Sequence, residues 1–282
     1  MHPTSVLPMR LAQTILDGPD PALNRPIVTI TIQDIDIAAS DLFLVFGHAG
    51  PLGISPGYSA TGKLVSLAIA DDKACRIIGF SQPKNGNKRA DSNRKASLAL
   101  NPEGRQMLQD RILCRTTGDI FAFDMGPLAM SLYCDLELRI TNAVDIQSAF
   151  SAVDRKPLTG IKAALGDSVR IIEGNVTDVF LNPIYNIEDK NRITDLAQRA
   201  WVSQFLVGCG NGAAMFDKVK RIDTRKLDST VSHLVFAIFM SCSTSHTLAP
   251  EDDRQGCQRC SSPGPKETIT NNPPCQSVIR SS

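Results

Sequence analysis

The sequence predicts a mixed α/β sheet: a three-strand meander, then strands added through helical crossovers. Three observations carry that prediction. Apolar runs of strand length occur at "DLFLVFG" (Asp41–Gly47), "KLVSLAIA" (Lys63–Ala70) and "ACRIIGF" (Ala74–Phe80), the last two joined by the tight turn "DDK". The pattern then alternates between helical and strand periods, the order of crossover units. The length, 282 residues with 42% apolar, suits one full domain with appendages.

Each element has its own signal. Residues 1–40 carry several prolines and no clean period up to residue 26, so they read as a leader; "IVTITIQDIDI" (Ile27–Ile37) is β-branched enough for an extra strand or extended arm. Residues 41–228 form the expected domain. Within it, Ser97–Leu113 reads as a helix, with Asn101 as its N-cap and Pro102 in the first helical position. "DIFAFD" (Asp119–Asp124) is a fourth strand, followed by Leu128, Leu132, Tyr133 and Leu136 at helical spacing. "NAVDIQSAF" (Asn142–Phe150) is a fifth strand turning into a helix, and Leu158–Leu165 is a short helix. Ile193–Leu206 places Ile193, Leu196, Ala197, Ala200, Trp201 and Phe205 on one helical face. "GCGNGAAMFD" (Gly208–Asp217) lacks the Lys-Ser/Thr of a phosphate loop and reads as a helix stop and turn. Residues 229–282 are rich in Ser, Thr, Pro and Cys and are expected to stay outside the core as a disordered tail.

Composition excludes some functions. The net charge is +1, so only local patches can argue for nucleic acid, and bulk electrostatics gives no reason to expect a membrane partner. The boldest apolar run, Leu234–Met240, is far short of the roughly 20 residues of a membrane span. The first ten residues show no charged-then-apolar signal pattern, so a cytoplasmic or nuclear protein is expected. Of eight cysteines, Cys75, Cys114, Cys134 and Cys209 stand alone in apolar surroundings as reduced thiols do. "CQRC" (Cys257–Cys260), near Cys242, His246 and Cys275, has no second matching pair, so an unstructured tail outweighs a zinc site.

The order of elements matches the ribonuclease-H-like fold, and some of its words match one branch. "FDMGPLAMSLYCDLELRITNAVDIQSAF" (Phe123–Phe150) resembles the RNase D-like (DEDD) 3′–5′ exonuclease domain, in its Egalitarian-like branch, which reads F/H-D-x-R-x-D-x-x-x-L-Y and then D-x-Q. Phe123-Asp124, Leu132-Tyr133 and Asp145-Ile146-Gln147 carry that match. "LFLVFGHAGPLG" stands where the family has a strand ending D-x-E-G-x-x-L-G, and Pro183 to Asp195 has the spacing of its R-P-L…Y-x-x-x-D. The resemblance covers roughly Asp41 to Leu206.

The resemblance implies two-metal hydrolysis, in which four carboxylates converge on a pair of divalent cations. It also implies that most of those acids are gone. The D-x-E positions fall on Phe46 and His48, and the second Asp of the next motif on Leu128, with Gly126 in place of the Arg. The last motif keeps Asp195, but its tyrosine falls on Asn191. Asp124 aligns with the motif's structural acid, and Gly126-Pro127 after it suggests a helix cap. Asp195 reads as a capping or surface acid at the start of its helix, and His48 as a hydrogen-bonded loop histidine. Asp145 and Gln147 are expected to tie loops.

The function expected is a non-catalytic relative of a 3′–5′ exonuclease that binds nucleic acid or protein without a cofactor. The alternative is an active Mg²⁺- or Mn²⁺-dependent exonuclease on RNA or single-stranded DNA, using other acids such as Asp34 and Asp36. "SQPKNGNKRADSNRKAS" (Ser81–Ser97) holds five cations, Lys84, Lys88, Arg89, Arg94 and Lys95, against one acid. They are the candidate contacts for weak binding of single-stranded RNA or DNA, although no aromatic residue interleaves to stack bases.

Overall fold

The computed structural model describes residues 8–21, 23–39, 50–81, 102–150, 155–209 and 212–227. Its centre is a seven-stranded mixed sheet. The strands are β1 (Met9–Leu11), β3 (Ile27–Gln33), β4 (Leu52–Tyr58), β5 (Leu64–Ala70), β6 (Cys75–Gly79), β7 (Ile120–Ala122) and β8 (Ala143–Asp145), in the order β1-β3-β6-β5-β4-β7-β8. Strands β4, β5 and β6 form the antiparallel meander, and β7 and β8 join β4 in parallel. A meander followed by parallel crossover strands is the ribonuclease-H-like arrangement, so the expected fold class holds. A two-stranded ribbon pairs β2 (Leu16–Asp17) with β9 (Arg170–Ile171).

Two assignments differ from the sequence expectation. The place of the meander's first strand, between β5 and β7, is held by "LGISPGY" (Leu52–Tyr58); Asp41–Gly47 lies outside the described residues. And the leader is part of the domain. β3 pairs in parallel with β6 over five residues, β1 pairs antiparallel with β3, and Ile15, Leu16 and Leu23 are buried. The domain therefore begins well before residue 41.

The helices cover both faces of the sheet. α1 (Pro102–Leu108) starts at Pro102 and runs into one π turn, Gln109–Leu113, closed by the Cys114 N–H on the Gln109 carbonyl at 2.7 Å. α2 is Met125–Leu136, α3 Pro157–Leu165, α4 Glu173–Leu181, α5 Lys190–Gly208 and α6 Gly212–Phe216. The sequence reading had no helix at α4, and it read α6 as turn. Alternation sorts the strand side chains. Leu52, Ile54, Leu67, Ile69 and Ile78 pack with Met125, Leu128, Ala129 and Leu132 of α2. On the other face Ala68, Ala70, Cys75 and Ile77 meet Ile193, Leu196, Ala197 and Ala200 of α5. A third cluster joins Phe121, Phe123 and Val144 to α3, α4 and the second half of α5. Burying one such side chain stabilises by roughly 1.5–3 kcal/mol, so α5, with Ile193, Leu196, Val202 and Leu206 all buried, is held firmly.

The candidate segments Asn101, Phe46, His48, Lys84, Lys88, Arg89, Arg94, Lys95 and residues 229–282 lie outside the described residues. Among the described residues, no helix is long and apolar enough to cross a membrane.

Candidate functional site

Three small residues on one side of β4 decide the shape of the site. Gly53, Ser55 and Gly57 face α5. A Cβ on Gly53 would lie 2.1 Å from the Ala200 carbonyl oxygen and 2.5 Å from the Gln204 nitrogen. Backbone cannot give way there, so glycine is what lets the helix settle onto the strand. A Cβ on Gly57 would lie 2.2 Å from Ser66 Oγ and 2.7 Å from Tyr185 Cβ. Tyr185 is held over this spot because its segment pairs with the end of β4: Tyr58 N–H donates to the Pro183 carbonyl at 2.9 Å, and Tyr185 N–H to the Tyr58 carbonyl at 2.8 Å. Burial pushes the Tyr185 phenol up to about 12.

β4, which occupies the first place in the meander, sets Ser55 and Gly57 beside α5. Neither is an acid. The room is taken by Arg199, one helical turn after Asp195. Its Nε donates to Ser55 Oγ at 3.1 Å, and its Nη1 to the carbonyls of Val179 at 2.7 Å and Asn182 at 3.3 Å. Asn182 is the C-cap of α4 and Val179 lies in its last turn, so the guanidinium satisfies carbonyls that the helix end leaves without partners. A cation also suits the negative end of the helix dipole. Burial lowers the Arg199 pKa to about 10, against the pull of the Asp195 carboxylate.

Asp195 lies in the second turn of α5, so the expectation that it caps the helix is corrected: the N-cap is Asp189, which accepts from Asn191 N–H at 2.9 Å. Asn191 is exposed at the helix start. The Asp195 carboxyl lies 3.8 Å from Arg192, and burial raises its pKa despite Arg199 and Arg192 nearby. Leu128 is fully buried in the α2 core.

Asp124 sits at the N-cap position of α2, but its side chain makes no capping bond, which corrects the cap reading. The residue is left-handed, φ 54°, ψ 44°, and its backbone does the work: the Asp124 N–H donates to Gln147 Oε1 at 3.1 Å. Desolvation, and then the facing Asp145 carboxylate, raise its pKa. Asp145 and Gln147 do tie loops: Asp145 accepts from Gln147 N–H at 3.1 Å, Ser148 Oγ at 3.0 Å and Arg155 at 2.5 Å. Asp34 is elsewhere, fully buried on Arg105 Nε at 2.9 Å and Ser81 Oγ at 2.7 Å. Asp34, Asp124 and Asp195 thus occupy three separate settings.

Two divalent cations need several hard oxygen ligands in one place. Here the described residues supply one carboxylate, one hydroxyl and a guanidinium, a set that does not fit a metal pair. Among the described residues no three His, Cys, Asp or Glu side chains gather to hold a metal. Sequence reasoning missed Arg199. The available signal was a charged residue placed among Leu196, Ala197, Ala200 and Ser203 on the buried side of a helix, one turn from Asp195.

No family model and no curated protein matches this chain. Among solved structures it is similar to the EXO domain of Nibbler from Aedes aegypti, with a TM-score of 0.48 and 9% sequence identity, over 68% of this chain and 91% of that one.

Proposed function

We propose that this chain is a non-catalytic relative of the RNase D-like 3′–5′ exonucleases, of the Egalitarian-like branch, serving as a binding module for single-stranded RNA or DNA. The observation that supports it most is the buried Arg199 guanidinium, bonded to Ser55 on the first strand of the meander, the place in the fold where the resemblance puts its metal-binding D-x-E pair. A fixed cation at that point repels Mg²⁺ or Mn²⁺, and Tyr185 over Gly57 leaves no room for a glutamate. Asp195 alone would leave a metal mostly hydrated, with neither a placed hydroxide nor a stabilised leaving oxygen. Loss of those terms costs several kcal/mol of barrier, and every ~1.4 kcal/mol is tenfold in rate.

The test is 3′-labelled single-stranded RNA and DNA incubated with purified protein and Mg²⁺ or Mn²⁺, alongside a polarisation assay of binding. Binding without shortening is the expected result. Processive 3′ shortening that disappears in Asp195→Ala would overturn the non-catalytic reading.

A further inference from the structure

The second half of α5 borders an open pocket of about 680 Å³, away from Arg199. Its volume falls within the roughly 300–1,000 Å³ of small-molecule sites. Trp201 and Phe205, one turn apart, line it with their rings stacked, centroids 4.9 Å apart and 19° from parallel. Arg10, Arg25 and Lys73 also line it, and among the described residues none of the three finds an ion-pair partner. Three acids share the same wall. Asp71 Oδ1 accepts from the backbone of Lys73 and Ala74 at 2.8 and 2.7 Å, and Asp20 is engaged too, leaving Asp72. The wall therefore carries three cations and three carboxylates, with Asp71 turned onto its own loop, and the guanidinium donors of Arg10 and Arg25 stand beside a flat aromatic surface that is only partly buried.

We infer that this pocket takes a nucleotide, its base on the Trp201–Phe205 stack and its phosphate on Arg10 and Arg25. Every base has a π face, and stacking on an aromatic side chain is indifferent to sequence. Arginines beside it supply the phosphate contacts that a near-neutral chain must concentrate locally. The pocket also meets the requirement that the cationic stretch 81–97 lacks, aromatic residues among the cations. The inference rests on the nucleic-acid reading above, and the ligand chemistry has two sources: a free mononucleotide, or one residue of a single strand.

Trp201 is the chain's single tryptophan, so its fluorescence reports this pocket alone. We would titrate the full chain with AMP, with a short oligoadenylate and with ribose 5-phosphate, and follow oligonucleotide binding separately by polarisation. The expected result is quenching by AMP or the oligonucleotide and none by ribose 5-phosphate. The exposed double variant Arg10→Glu/Arg25→Glu should weaken binding at least about tenfold and reduce the single-strand salt slope by about 0.7 per lost contact. Trp201→Phe, which keeps a ring in the core, should weaken it less than Trp201→Ala, for which loss of stacking predicts about 5- to 150-fold. Oligonucleotide binding with no change in Trp201 emission would overturn the pocket and leave the proposed function standing. Quenching by AMP without oligonucleotide binding would support the pocket as a mononucleotide site and overturn the nucleic-acid reading. Neither binding nor quenching would overturn both.

Discussion

The two halves of α5 meet opposite surroundings. The first half, around Arg199, is sealed: Tyr185 covers Gly57, and the guanidinium spends its donors on Ser55 and the end of α4, while Gly53 lies against the backbone at Ala200 and Gln204, where the two halves join. The second half, from Trp201, opens onto a pocket whose cations have no ion-pair partner among the described residues. One helix thus shows that a charge next to a cavity can mean two things. A buried arginine with four protein oxygens within reach is structure; an exposed one beside an aromatic stack is available for a ligand.

The sharpest way to break this contrast is to force a long side chain onto Gly57. Gly57→Glu has no space, and overpacking of this kind costs typically 1–3 kcal/mol and more when backbone must move. At roughly 2–4 °C per kcal/mol for a domain of this size, the melting temperature should fall by about 6 °C or more. An unchanged melting curve would mean the sealed half is looser than its contacts imply. Next comes Arg199→Met, which keeps the bulk and strands the Val179 and Asn182 carbonyls and Asp195. It should cost about 2–4 kcal/mol in urea unfolding. Arg199→Lys should recover part of that, because one ammonium cannot replace the planar fork.

At the open half the same chemistry should barely register. Arg25→Gln is expected within ~0.5 kcal/mol of the parent in denaturant unfolding, as for an exposed residue with no ion-pair partner among the described residues. A loss comparable with Arg199→Met would show that the pocket is another structural site.

The smallest effect is at Asp124, which faces Asp145. Its carboxyl pKa is raised in the fold, so the native state holds the proton more tightly than the unfolded chain. That contribution is present below the ordinary carboxylate range and is lost as pH rises through the folded pKa. Asp124→Asn, which also tolerates the left-handed backbone, should therefore gain under about 0.5 kcal/mol at pH 7, given solvent screening of this exposed group. The gain should vanish near pH 3, where both chains are neutral at this position. Unfolding at the two pH values distinguishes the cases.

Much of the fold was legible. β5, β6, β7, α2 and α5 announce themselves by apolar period because each buries a regular face. β4 did not. "LGISPGY" has two glycines and a proline and reads as turn, while "DLFLVFG" nearby reads as a better strand. Strand propensity measures side-chain packing on a sheet surface, whereas β4 was shaped by the close approach of a helix, which wants no side chain. The parallel pairing of β3 with β6 was equally hidden, since no local signal names a partner more than forty residues away. At the site, Asp195 was visible as an acid near the start of an amphipathic helix. Ser55, Gly57 and Arg199 were not, because their roles follow from which strand stands where.

The strands contributed by residues 9–33 have one more consequence. Without them β6 would be a border strand of five residues, Cys75–Gly79, its backbone ready to pair with another chain. With β3 and β1 added, that border becomes the three residues Met9–Leu11 and the four residues of β3 that β1 does not reach, Ile30–Gln33. At the opposite border β8 exchanges both backbone bonds with Ile222, at 3.3 and 2.8 Å across Ala143. Each margin is thereby broken into stretches of four residues or fewer, so trimming the first 33 residues, which uncovers all of β6, should yield a protein that aggregates rather than one that is merely smaller.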